Sequence, residues 1–199
     1  MKTIDVCALG ELLIDFTQSG KSAQGNDLFE ANPGGASCNV LAMLKKLWHS
    51  AAFLGKVSND MFGRMLRERV GALGIDIGGL RTDPEVPTAL AFVRSLPGDR
   101  DFSFYRCPGA DAMLCADKVD VQRLGKARIF HFGTFSLTHE DVRAASRFAV
   151  ETARADGALI SFDPNIRLSL WKDMDLCRAQ ALYGFAQCDI AKIADNEIL

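Results

Sequence analysis

Long hydrophobic runs and an excess of either charge sign are both missing from this 199-residue chain. No apolar run approaches the roughly 20 residues that a membrane-spanning helix needs, and the N-terminus lacks the apolar core of a signal peptide. Because 23 Lys and Arg residues stand against 25 Asp and Glu, for a net charge of −2, there is no basic field for nucleic acid or anionic lipid. These absences predict a cytoplasmic protein that binds neither nucleic acid nor membrane.

Paired cysteines and several familiar catalytic motifs are also lacking. The six cysteines are scattered without a Cys-x-x-Cys spacing, which is typical of reduced thiols and not of a disulfide scaffold. The chain has no G-x-x-x-x-G-K-[ST] phosphate loop, no G-x-G-x-x-G after its first apolar run, no H-x-x-x-H and no G-x-S-x-G. P-loop enzymes, dinucleotide dehydrogenases, zinc enzymes and serine hydrolases are therefore disfavoured.

What is present is an alternation of short apolar runs with helical segments. Strands are predicted at Ala127–Phe132, Ala158–Phe162 and Cys188–Ile193, with helices over Glu140–Arg154 and Asp173–Ala186 between them. Alternation of this kind predicts an α/β fold with a doubly wound, mostly parallel sheet that is covered on both faces.

Two parts of the chain alternate apolar and polar residues and do not fit that sheet. Thr88–Leu96 and Asp101–Arg106 flank a turn at Pro97-Gly98-Asp99 and are predicted to form a hairpin. We assign about residues 12–32 and 86–108 to a small separate β layer that would act as a lid or a dimerisation flap.

Polar residues collect where predicted strands end, which is where ligands bind in an open parallel sheet. Gly34-Gly35 opens a predicted helix with free N–H donors, and Asn39 lies in its first turn, where helix propensity would not choose it. Asn165 and Arg167 follow a later strand, and an arginine there suits a substrate anion or a moving phosphoryl group. Each could singly be a turn, cap or surface residue, but together they favour a site for a polar ligand.

Several of these motifs resemble those of the ribokinase-like (PfkB-type) sugar kinases, and most closely their fructokinase branch. The matching motifs are Gly10-Glu11-x-x-x-Asp15, Gly34-Gly35-Ala36-x-x-Asn39, Gly55-x-Val57-x-x-Asp60-x-Phe62-Gly63, Phe104-Tyr105-Arg106 and Asp163-Pro164-Asn165-Ile166-Arg167-x-x-Leu170-Trp171. The resemblance implies an enzyme dependent on ATP and Mg²⁺ that phosphorylates a sugar primary hydroxyl, with D-fructose to fructose 6-phosphate as the expected reaction. Ribokinase, 2-keto-3-deoxygluconate kinase and nucleoside-type kinase activities stay open. So does a non-catalytic sugar-binding module, whereas a nicotinamide-dependent oxidoreductase is disfavoured by the missing glycine fingerprint and would need NADH binding to support it.

The resemblance also implies roles for individual residues and an assembly. Residues expected to bind the sugar are Asp15, Gly34, Gly35, Asn39, Arg106 and Asn165. Arg167 would be the catalytic residue that approaches the transferred phosphate. Lys192 and Glu197 would serve ATP, with Glu197 acting on Mg²⁺ indirectly, through its water. A homodimer through the lid is the implied assembly.

One family motif has no counterpart in this chain. The family's Gly-Ala-Gly-Asp, whose Asp is the base and whose glycine amides form an anion hole, is absent. A helix predicted to begin after Asp195 also stops at Leu199, within its first turn. We therefore expect residues 1–199 to be the N-terminal portion of one kinase domain, without the C-terminal ATP-binding part and inactive by itself.

Overall fold

A computed structural model describes residues 1–96 and 99–197, so Pro97 and Gly98 of the predicted turn and the last two residues of the predicted terminal helix lie outside it. Its strands are β1 (Ile4–Leu9), β2 (Leu13–Lys21), β3 (Asp27–Gly34), β4 (Ala51–Ser58), β5 (Asp76–Asp83), β6 (Leu90–Leu96), β7 (Asp99–Tyr105), β8 (Ala127–Gly133), β9 (Leu159–Asp163) and β10 (Ile190–Ala191). Its α-helices are α1 (Ala36–Lys46), α2 (Met61–Ala72), α3 (Val121–Lys126), α4 (Glu140–Ala155) and α5 (Met174–Gln187).

Six strands form a sheet in the order β10-β9-β8-β1-β4-β5, and every described neighbouring pair in it is parallel. Helices α1 and α2 pack on one face around Phe53, while α3, α4 and α5 cover the other around Phe130 and Phe162. The central strand β1 is buried on both faces, which is why it reads as a continuous apolar run. The predicted α/β fold with a covered parallel sheet is confirmed.

A second sheet contains four strands in the order β3-β2-β6-β7, and we call it the lid. Strands β2 and β3 are antiparallel, β2 and β6 parallel, and β6 and β7 antiparallel. The register aligns Asp15 with Asn32 and Ala91, and Ala91 with Phe104, so these four residues lie on one face. Phe104 contacts the Phe135 ring of the larger unit, with ring centroids 5.7 Å apart. This inner face of the lid therefore looks toward the ends of the parallel strands.

Strand β5 was not among the predicted strands, and its two adjacent glycines account for that. A Cβ on Gly78 would collide with the guanidinium group of Arg123, and one on Gly79 with the side chain of Leu54. Neighbouring side chains thus occupy the space that strand side chains would fill, so the sequence carries no alternating pattern there. Among the helices of the described ranges, none combines the length and the apolar character needed to cross a membrane.

A residue with left-handed backbone conformation that is not glycine follows the end of helix α1. Trp48 has φ 65°, and the N–H of the next residue, His49, donates to the carbonyl of Leu44 at 3.0 Å, as in a Schellman motif. The Trp48 side chain is exposed. The residue therefore carries the steric cost of the left-handed conformation without packing its indole against the core.

We expect Trp48→Gly to raise the free energy of unfolding by about 1 kcal/mol, because glycine adopts this conformation without a Cβ clash. Urea unfolding followed by circular dichroism measures the change. Trp48→Ala is the matched control, since it also removes the indole but keeps the Cβ. Equal stability of the glycine and alanine variants would contradict the explanation.

Candidate functional site

Asp15 of the lid lies directly against the backbone of Gly34. A Cβ on Gly34 would collide with the carboxylate of Asp15, so glycine is what permits this contact. The Asp15 side chain is half-buried; burial raises its pKa, and the charge of Arg167 opposes that rise. Three residues from separate parts of the chain are therefore brought together: Asp15, Gly34 and Arg167.

Gly35 forms the entry to helix α1 beside Gly34. Its φ is 133°, and a Cβ would collide with the carbonyl oxygen of Glu11, so a side chain is excluded on both counts. The side chain of Glu11 accepts a hydrogen bond from the N–H of Ala36 at 2.5 Å. Asn39 is exposed in the first turn, and its backbone N–H donates to the carbonyl of Gly35 at 2.9 Å. The first turn of α1 thus borders the Asp15 carboxylate.

The loop after β9 carries Asn165 and Arg167 toward the lid. Asn165 has φ 43°, a left-handed conformation that asparagine tolerates better than most residues, and it redirects the chain after Pro164. The Arg167 guanidinium lies 5.5 Å from the centre of the Phe102 ring on β7, and its Nη1 donates to the carbonyl of Ile166 at 3.1 Å. Arg167 therefore bridges the strand-end loop and the inner face of the lid.

Arg106, at the end of β7, is held in a buried ion pair. Its Nε donates to Asp111 at 2.7 Å, its Nη1 donates to Thr138 at 2.8 Å, and its guanidinium lies 4.9 Å from the centre of the Phe135 ring. The side chains of Arg106 and Asp111 are 5% and 1% exposed. The structure therefore places Arg106 as a tie between the lid and the segments before α4.

Arg106 also borders a cavity of about 870 Å³ between the lid edge β7 and the beginnings of α4 and α5. Trp171 and Lys172 belong to the same wall, whereas Asp15 and Arg167 are not among its described lining residues. Phe102 lines this cavity together with Arg106, and it is also the ring that the Arg167 guanidinium contacts.

Lys192 and Glu197 lie on the chain after β10, beside the loop that carries Arg167. Lys192 is exposed, and its Nζ is 3.3 Å from the Asp163 carboxylate. Glu197 accepts hydrogen bonds from the N–H of Ile166 at 2.7 Å and of Ala194 at 3.0 Å, one through each carboxylate oxygen. Within residues 1–96 and 99–197, no group of three or more His, Cys, Asp or Glu side chains could hold a metal ion.

Glu11 and Asp111 are buried acids to which the sequence analysis gave no role. Glu11 is 4% exposed and Asp111 3%. Glu11 follows the apolar run of β1 and precedes three further apolar residues, and an acid enclosed in this way is a signal that could have marked it. Asp111 carries no comparable signal, because its burial depends on the position of the lid.

The fold and the site define an α/β protein whose polar ligand would lie at the strand ends beneath a β lid. The model of the pfkB family of carbohydrate kinases matches residues 3–199, and the chain belongs to that family. The resemblance found in the sequence motifs is thereby confirmed.

Named relatives and solved structures agree with this assignment. Fructokinase-1 of Zea mays is 42% identical over 196 residues, which is 97% of this chain and 61% of that protein. The fructokinase of Xylella fastidiosa superposes with a TM-score of 0.91 at 32% identity, covering 99% of this chain and 61% of that one. A second structure of that fructokinase, with bound ATP, superposes with a TM-score of 0.90 at 31% identity, covering 99% and 59%. This chain therefore spans about three fifths of the length of these relatives.

Proposed function

We propose that this chain forms the sugar-binding part of an ATP-dependent kinase that phosphorylates the primary hydroxyl of D-fructose to give fructose 6-phosphate. The observation that carries the proposal is the half-buried Asp15 carboxylate, held against the Gly34 backbone and faced by the charge of Arg167. Likeness to proteins named fructokinase supports the choice of sugar.

The site residues would have two roles: some would bind the sugar, and one would stabilise negative charge on the phosphoryl group. Asp15 would accept hydrogen bonds from sugar hydroxyls, which are strong because the acceptor is a partly buried carboxylate. Gly34 and Gly35 would let the sugar approach the backbone at the start of α1, with Asn39 and Asn165 offering amide donors and acceptors. Arg167 would stabilise negative charge on the phosphoryl group as it moves.

Lys192 is the described residue that we assign to the phosphates of the nucleotide. Lys192 is an exposed cation at the carboxyl end of the sheet, and it would hold a phosphate oxygen of ATP, the group that supplies the transferred phosphoryl. Glu197 is the acid among the described residues that would serve Mg²⁺, a cation that is usually bound through one or two carboxylates together with water and phosphate oxygens. Both carboxylate oxygens of Glu197 already accept backbone hydrogen bonds, so its contribution would pass through water.

The contacts already made by Arg106 favour a neutral sugar over a sugar acid as the substrate. A sugar acid such as 2-keto-3-deoxygluconate needs a cation for its carboxylate, whereas Arg106 is engaged by Asp111, Thr138 and Phe135. We accordingly assign Arg106 to the border of the substrate site and keep 2-keto-3-deoxygluconate kinase and ribokinase as alternatives. A non-catalytic sugar-binding module remains the alternative of another class.

A homodimer through the lid is part of the proposal, with a cytoplasmic location. The outer face of the lid carries an aromatic cluster in which Phe29 and Tyr105 pack edge-on against Phe92. Phe29 is 41% and Tyr105 66% exposed, so the cluster offers apolar area to a second copy. Strand β7 forms one edge of the lid sheet, and such an edge favours cover by a partner.

Calorimetric titration and an ADP-release assay test the function together. We expect this chain to bind D-fructose more tightly than D-ribose or 2-keto-3-deoxygluconate, and to release ADP only when extended at its C-terminus to the length of its relatives. Binding without turnover in either chain would favour the sugar-binding module. Turnover by the 199-residue chain would place the base within these residues and contradict the mechanism.

A further inference from the structure

Glu11 connects the turn after β1 to the entry of helix α1. Its carboxylate accepts the hydrogen bond of the Ala36 N–H, the first residue of the helix, and its own carbonyl oxygen occupies the space that a side chain on Gly35 would need. Glu11 thus accepts a hydrogen bond at Ala36 through its side chain and lies close to Gly35 through its backbone carbonyl. It acts on the loop that borders Asp15 without itself facing that carboxylate.

The surroundings of Glu11 are charged as well as buried. Three ionisable groups face it: Asp111 from the segment between β7 and α3, Arg106 from the end of lid strand β7, and the Cys38 thiol from α1. One carboxylate oxygen of Asp111 is buried without a hydrogen-bond partner. Arg106 is paired with Asp111 and acts on Glu11 only through its charge, while the charge of Asp111 opposes ionisation of Glu11.

Burial is the main cause that raises the pKa of Glu11, to about 7, and the nearby Asp111 adds to the rise. A carboxyl whose pKa is raised in the folded state contributes stability at low pH that is lost as the pH rises through the folded value. The ionised form is therefore costly to the fold near neutrality. The ionised form is also the better acceptor for an N–H at a helix N-terminus, because its negative charge is attracted to the positive end of the helix dipole.

We propose that Glu11 is a positioning residue of the sugar site. Its ionised carboxylate accepts the hydrogen bond of the first turn of α1 and thereby holds Gly34 and Gly35 in the conformation that binds the sugar. This inference rests on the proposed function, since the ligand is the sugar assigned there. It adds a residue that has no contact with that ligand.

Two measurements on the 199-residue protein test this role. The first is the chemical shift of the Ala36 amide in ¹H–¹⁵N spectra across neutral pH without ligand. The second is the dissociation constant for D-fructose at about pH 6 and about pH 8. If Glu11 must lose its proton when the sugar binds, the affinity should be about tenfold lower at the lower pH. Glu11→Gln keeps the shape of the side chain and removes the titration, while Glu68→Gln, an exposed position on α2, is the matched control.

We expect the Ala36 amide to titrate near the pKa of Glu11 in the wild type and in Glu68→Gln, and not in Glu11→Gln. The affinity for D-fructose should fall about tenfold at the lower pH in the first two proteins and be independent of pH in the third.

If the Ala36 amide of the wild type does not titrate, the proposed hydrogen bond from α1 to an ionising Glu11 is wrong. This measurement needs only the wild-type protein, so it decides the point even if Glu11→Gln fails to fold. Titration with a pH-independent affinity overturns the positioning role. Titration without any D-fructose binding overturns the proposed sugar site, and with it this role of Glu11, but leaves the contact with α1 intact.

Discussion

Asp111→Ala is expected to lower the free energy of unfolding by about 3–5 kcal/mol, which is the usual cost of removing one partner of a buried ion pair. Arg106 would keep its bond to Thr138 but lose the carboxylate at 2.7 Å that balances its charge. Since both side chains are almost completely buried, the guanidinium charge that remains would be poorly solvated. Denaturant unfolding followed by circular dichroism measures the loss.

The exposed pair of Asp117 and Lys118 gives a matched control. Its atoms are 2.9 Å apart, close to the distance in the buried pair, but its side chains are 67% and 62% exposed. Asp117→Ala should therefore leave the stability nearly unchanged. A double variant, Asp111→Leu with Arg106→Met, removes both charges and should recover most of the loss. Equal effects of Asp111→Ala and Asp117→Ala would contradict the assignment of a buried pair.

Asp15→Ala is expected to weaken the binding of D-fructose by about 100-fold or more, because two hydrogen bonds to a charged group are together worth about 3–6 kcal/mol. The stability should not fall in parallel. Burial raises the pKa of Asp15, and a carboxyl with a raised pKa loses stability as the pH rises through its folded value, so its removal relieves a cost at neutral pH. Calorimetric titration gives the affinity, and urea unfolding gives the stability.

Asp27→Ala is the control for the lid. Asp27 is an exposed carboxylate on β3 that pairs with Lys21 at 2.7 Å, so its loss should leave the affinity for D-fructose unchanged. A similar loss of affinity in both variants would indicate a general effect of charge on the lid. Unaltered binding by Asp15→Ala would remove Asp15 from the sugar site.

Several parts of this architecture could be predicted because they depend on short stretches of sequence. The run at β1 is apolar since both of its faces are covered, and the segment at α4 shows helical periodicity since one side packs on the sheet. Strand β5 follows neither rule, because Gly78 and Gly79 leave room for the side chains of Arg123 and Leu54. A local pattern fails wherever the space is filled by residues that are distant along the chain.

The candidate site was predictable as a set of residues but not as an arrangement. Glycines, asparagines and an arginine at strand ends pointed to a polar ligand, since parallel strands bring their carboxyl ends to one edge. The sequence alone offered no means of deciding that Arg167 faces Asp15 while Arg106 is held by Asp111. Both are arginines next to the predicted lid or loop, and only the packing of the lid on the larger unit separates their roles.

By itself, then, the sequence determined the alternation of strands and helices, the presence of a separate β layer and the polar character of the strand ends. Each of these features depends on local periodicity and residue type. The tertiary structure decided which of those polar groups meet. Glu11 reaches Ala36 across 25 residues and Asp15 faces Arg167 across a far longer stretch, and such pairings depend on strand order and lid register. Burial follows from the same packing, and burial is what raises the pKa values of Glu11 and Asp15.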